Sequence, residues 1–223
     1  DTNQDHYQFY VRTECPKRID SLKTAVNAFI DNVSTTSPTS QIAIVKFAGN
    51  SKADQGDEFY TYDGYRYNYS QIVKNLTAVN DSGKTTLKNA VNDLSPAGCT
   101  SSDYGMEHAK NIITNDPNKD RKKVVIMFTD GEPNRQSGFN KSVANSAIEN
   151  AKSIKDTGAT VYTIGVFSGA NGTPVNSWSG VGNTNKYMHL VSSNYKDATS
   201  MDNPGDPTYP EGGKSYYLSA GNH

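Results

Sequence analysis

Asp130 is the residue of this chain best placed to bind something. It sits in Phe128-Thr-Asp-Gly-Glu-Pro133, where the continuous apolar run from Val124 to Phe128 breaks into a polar turn. Five apolar residues, rich in β-branched side chains, are too few for a lone helix, and they predict a short strand buried on both faces. A carboxylate at the carboxyl end of such a strand stands where open parallel α/β sheets bind their ligands. The plainer reading is that Asp-Gly is a turn and Asp130 a helix-capping residue. Covalent chemistry finds less support. The four histidines, His6, His108, His189 and His223, are scattered. Glu107-His108 lacks a second histidine at the zinc-protease spacing, and no Gly-x-Ser-x-Gly elbow occurs. Ser82-Gly-Lys-Thr85 suggests a phosphate loop, but Ala78 stands where its first glycine is needed and no buried strand precedes it. A surface hydrolase on an α/β sheet therefore has no nucleophile and base to name.

The elements that must position Asp130 follow from periodicity. Ile19, Leu22, Val26, Phe29, Ile30 and Val33 share one stripe of a helix beginning near Lys17. Gln41 to Phe47 reads as a strand. Phe59 to Tyr69 alternates aromatics around Asp63-Gly64, a strong hairpin signal. Ser70 reads as the N-cap of a short helix carrying Ile72, Val73, Leu76 and Val79. A further helix starts near Thr85, with Leu87, Val91 and Leu94 inward, and stops at Pro96. The small-residue loop Ala97 to Asp103 leads into a helix through Met106, Ala109, Ile112 and Ile113. Beyond Asp130, Ala144, Ala147, Ile148, Ala151 and Ile154 mark another helix, closed by Gly158. Ala159 to Val166 is a strand, and Tyr187 to Val191 reads as a short last one. The alternation predicts an α/β fold with a doubly wound, mostly parallel sheet flanked by helices. Residues 1–223 form a single domain on this reading, with a polar segment 1–17, a Tyr-rich β-hairpin insert at 50–70 and a loop-rich end at 192–223.

A length of 223 residues is ample for a real core. The net charge of -1, from 22 basic and 23 acidic residues, gives no footprint for nucleic acid. No apolar stretch approaches the roughly 20 residues that span a bilayer. The excess of Tyr, Asn, Ser, Thr and Gly over Leu leans towards a secreted or surface protein. Tyr60, Tyr62, Tyr65 and Tyr67 of the hairpin offer large amphipathic area at low entropic cost, either as ligand contacts or as an edge laid over the domain.

Three stretches carry a resemblance: FTDGEP after its strand, GCTSSDYGME opening a helix some 30 residues earlier, and RIDSLKTAVNAFI as an early helix. Together they resemble a von Willebrand factor type A domain from about Arg18 to Val191, and most closely those of Gram-positive cell-surface and pilus-tip adhesins. The resemblance implies a non-enzymatic extracellular module, on the cell surface or in the cell wall, that meets a protein ligand such as host matrix through a metal-ion-dependent adhesion site. A metal-independent structural or assembly role in a surface protein or pilus is the alternative. Thr100 and Asp130 match two of the site's loops, and a hard divalent cation (Mg, Mn or Ca) suits such oxygen ligands. The family's DxSxS loop has no counterpart in this sequence. Either residues 1–17 are an insert following a strand and loop encoded upstream, or His6 to Val11 is the first strand and Arg12 to Pro16 a degenerate loop. In the first case the sheet's edges await pairing with a missing strand from another segment. In both, cation binding by the chain alone is expected to be weak or absent, since such ions want six or more oxygens. The resemblance also brings Cys15 and Cys99 to one rim, as a disulfide or as two thiols.

Overall fold

The computed structural model describes residues 18–220. Helix α1 (Arg18–Thr36) leads into strand β1 (Gln41–Lys46). Then come β2 (Lys52–Gln55) and the hairpin β3 (Phe59–Tyr62) and β4 (Tyr65–Asn68). Next are β5 (Ser70–Ala78), α2 (Asp81–Asp93), α3 (Ser102–Asn115) and β6 (Val124–Thr129). The chain ends with α4 (Lys141–Asp156), β7 (Thr160–Gly165), α5 (Asn183–Val191) and β8 (Tyr217–Ser219). This is an α/β fold with a parallel sheet flanked by helices. Strands β6, β7 and β8 run parallel in that order. A second sheet has the order β1-β5-β2, in which β1 and β5 are antiparallel and β2 joins β5 parallel.

Two helix-or-strand expectations are corrected. Ser70 to Ala78 is a strand, not a helix: it pairs with β1 from Gln41↔Ala78 to Lys46↔Gln71. Register shifts between Ile42 and Val45 interrupt the ladder. Such irregularity blurs the period-2 signal, so the apolar spacing of residues 72, 73, 76 and 79 mimics a helix. Conversely, Tyr187 to Val191 is helix, not strand. All five of its side chains are buried, at 1% exposure or less. A short helix buried all round has no polar stripe to betray its period.

Helix α2 also starts earlier than Thr85. The Asn80 side chain accepts from Gly83 N at 2.8 Å and caps it. A Cβ at Gly83 would lie 1.8 Å from the Ala78 carbonyl oxygen, so only glycine lets the helix begin so close to β5. The hairpin turns on Asp63 and Gly64, both at positive φ (50° and 76°), as a two-residue primed turn requires.

One core cluster joins α3, α4, α5 and the β6-β7-β8 sheet through Met106, Met127, Ala147, Ile148, Val161 and Tyr187. A second joins α1, α2 and β1 through Ile30, Leu87, Val91, Ile42 and Ile44. Helix α3 spans the two halves. Gly105 brings it so near β1 that an added Cβ would stand 2.7 Å from Phe47.

Candidate functional site

Strand β6 delivers Asp130 as the apolar run predicts, but it is less enclosed than expected. Met127 and Thr129 are buried, Val125, Ile126 and Phe128 half-buried, and Val124 is 54% exposed. Among the described residues β6 pairs only with β7. The Thr129 hydroxyl donates to Gly131 O at 2.9 Å and closes the turn that points Asp130 outward. The Asp130 side chain is 61% exposed.

Thr100 is brought to the same rim by the backbone. Thr100 and Asn134 form an isolated antiparallel bridge. Asn134 N donates to Thr100 O at 3.0 Å, and Thr100 N donates to the Asn134 side-chain oxygen at 3.3 Å. On the other side, Ser101 N donates to Ala48 O, just past β1, at 3.0 Å.

Arg135 strengthens this join, and sequence reading missed it. Its guanidinium donates to Asp103 Oδ2 at 2.6 Å and to Ser101 Oγ at 3.2 Å, and lies 4.1 Å from the centre of the Tyr104 ring. The Arg135 carbonyl accepts from the Cys99 thiol at 3.0 Å. Burial pushes the Asp103 carboxyl up, with Arg135 opposing, and burial likewise raises the Cys99 thiol. Asp103 Oδ1 is buried without a hydrogen-bond partner. The loop 99–103 and the turn 130–135 are thus fastened together at Asn134 and Arg135. Nothing in a single sequence pairs an arginine with an aspartate 32 positions away; its place beside the Asp-Gly turn was the only cue.

Thr100 and Asp130 supply a hydroxyl and one carboxylate. Asp130 is instead engaged by Arg18, whose Nη1 lies 3.5 Å from Oδ2 and 3.4 Å from the backbone oxygen. Among the described residues no group of three His, Cys, Asp or Glu side chains could hold a metal. A hydroxyl and a carboxylate beside a guanidinium fall short of the six or more oxygens such an ion takes. Cys15 lies outside the described residues, so its pairing with Cys99 is not seen.

The family model for the von Willebrand factor type A domain matches residues 15–202. The chain belongs to that family. No curated protein matches it in sequence. Among solved structures it is similar to the pilus adhesin SpaC from Lactobacillus rhamnosus GG. The open conformation aligns with TM-score 0.55 and 16% identity over 92% of this chain and 26% of SpaC. A second SpaC structure aligns with TM-score 0.54 and 18% identity over 83% of this chain and 26% of that one. Identities this low speak to the fold, and the chain spans about a quarter of SpaC's length. No helix among the described residues is long and apolar enough to cross a membrane.

The hairpin tyrosines divide. Tyr60 stacks on Tyr67 at 5.6 Å and meets Tyr69 at a tilt at 4.7 Å, and its hydroxyl donates to the Asn50 side-chain oxygen at 2.6 Å. These contacts anchor the hairpin. Tyr62 and Tyr65, at the tip, are 62% and 69% exposed.

Proposed function

We propose that this chain is a non-enzymatic recognition module displayed outside the cell, on a bacterial surface, cell wall or pilus. It meets an extracellular protein, such as a host matrix protein, through the rim around Asp130 and Thr100. One observation supports the reading: a bridge between Thr100 and Asn134, backed by Arg135, ties the loop of Thr100 to the turn that follows Asp130 at the carboxyl end of β6. The similarity to a pilus adhesin in fold supports it. Tyr62 and Tyr65 add contact area beyond the rim. Cation-dependent adhesion, on this reading, requires further oxygen ligands from outside residues 18–220. A disulfide between Cys15 and Cys99 would brace the same rim. Thiol titration of the unfolded, unreduced chain tests it, and two free thiols end the idea.

A metal-independent structural or assembly role is the second reading, favoured by the Arg18–Asp130 pair. Guanidinium there neutralises the carboxylate without any ion. Binding of the chain to immobilised matrix proteins, in magnesium and in EDTA, separates the two. Adhesion abolished by both EDTA and Asp130→Ala supports the cation-borne site. Binding that survives EDTA but not Asp130→Ala supports the metal-free rim. Binding indifferent to Asp130→Ala removes the rim from the account.

A further inference from the structure

We propose that the rim around Asp130 takes an arginine side chain of its protein partner, and that Arg18 is a tethered stand-in which the partner displaces. The inference rests on the rim reading and deepens it by naming the ligand's chemistry. A guanidinium already occupies the seat. Arg18 Nη1 lies 3.5 Å from Asp130 Oδ2 and 3.4 Å from the Asp130 backbone oxygen, so one nitrogen faces two acceptors of a single residue. The turn beneath them is fixed by the Thr129 hydroxyl, which donates to Gly131 O at 2.9 Å and accepts from Gly131 N at 3.3 Å.

Arg18 fills this seat loosely. Charge-assisted N–H···O bonds close to about 2.7–2.9 Å where geometry allows. Both Arg18 contacts are longer, because its backbone is held as the first residue of α1. Both side chains are 61% exposed. An exposed ion pair of this kind is weak, screened by salt and offset by side-chain entropy. A guanidinium on a separate chain is free of the tether and can bring its fork of donors to carboxylate and carbonyl together. The better geometry lies with the newcomer.

Charge selects the ligand. The rim's other guanidinium, Arg135, is committed to Asp103 and Ser101, at 2.6 and 3.2 Å. Glu132, half-buried in the Asp130 turn, has no cationic partner among the described residues. What stays open at the rim is therefore carboxylate, which attracts a cation and repels an acidic side chain. Arginine is favoured over lysine because two acceptors of one residue call for several donors in a fixed fork. An ammonium offers only a compact, more strongly hydrated charge.

The test is an NMR titration of the full chain, in EDTA, with the blocked peptide Gly-Gly-Arg-Gly-Gly. Parallel peptides carry lysine, citrulline or glutamate in place of the arginine; citrulline keeps the shape and removes the charge. The arginine peptide should move the Thr129 and Gly131 amides saturably, and the lysine peptide should bind more weakly. The citrulline and glutamate peptides should leave both amides unmoved, and Asp130→Asn should abolish the response. Arg18→Ala, which removes the stand-in, should tighten the arginine peptide about 1.5- to 5-fold, the range set by exposed ion pairs. An affinity unchanged or weakened in Arg18→Ala overturns the proposal, as does equal binding of the citrulline peptide. If an immobilised matrix protein needs Asp130 but the arginine peptide neither moves these amides nor competes, the rim reading stands and this proposal falls. Matrix binding indifferent to Asp130→Ala removes the rim, and this proposal with it.

Discussion

Replacing Arg135 with Met should unfasten the two loops of the rim and expose how they are held. Asp103, 8% exposed at its side chain, would lose its one counter-charge, and its Oδ1 already lacks a partner. Removing one member of a buried ion pair typically costs about 3–5 kcal/mol. The lost stacking on Tyr104 adds about 0.5–1 kcal/mol. Because the Arg135 side chain is 29% exposed, water can reach in, and the expected loss is about 3 kcal/mol at pH 7. The pH dependence has a definite sign. Burial raises the Asp103 carboxyl above its ordinary 3.8, and without Arg135 to oppose it the rise grows. A group raised on folding stabilises below its unfolded pKa, and that contribution is lost as pH climbs through the folded value. Arg135→Met should therefore be hurt more at pH 7 than near pH 4. Adding Asp103→Asn should recover stability at pH 7 by removing the stranded charge. Urea unfolding at both pH values, for both variants, measures all of this. A loss under about 1 kcal/mol at pH 7, or no recovery in the double variant, refutes the reasoning.

Calorimetry with magnesium, manganese and calcium should find no micromolar binding by this chain, because Asp130 and Thr100 supply too few oxygens beside Arg18. Micromolar binding abolished by Asp130→Ala would overturn that. Gly105→Ala should destabilise by about 1–2 kcal/mol in thermal melts, since a Cβ 2.7 Å from Phe47 overpacks by more than helix propensity returns. Lys155 donates to the carbonyls of Leu190, Ser192 and Tyr195, and burial holds its ammonium down to about 7. Stability should thus rise with pH from about 7 towards 10.5, and Lys155→Met should erase that rise in urea titrations. His189 is fully buried, accepts at Nδ1 from Asn194 and has no partner at Nε2; burial lowers it to about 4. Stability should fall as pH drops from 6.5 through 4, by about 3 kcal/mol in all, and His189→Gln should flatten that limb.

Much of this protein was legible in the amino-acid order. The run from Val124 to Phe128 with its Asp-Gly turn, the stripes of α1, α3 and α4, and the Asp63-Gly64 hairpin are local signals. Each needs only the period of one element or the φ demanded by one turn. The family could be recognised from the same stretches, because its motifs are contiguous. Helix and strand were confused where burial was not one-sided. Residues 187–191 are buried all round, and β5 follows an interrupted ladder with β1, so neither shows a clean period.

Which distant groups meet was settled by the packed fold alone. Arg18 pairs with Asp130, Arg135 with Asp103 and Ser101, and Asn134 bridges Thr100, all across 32 to 112 positions of chain. A charge or a backbone carbonyl carries no mark of its partner in the sequence, since any opposite group within reach will serve. The strand order β6-β7-β8 is of the same kind. A ladder is a relation between strands, and it becomes visible only when the neighbours of each strand are known.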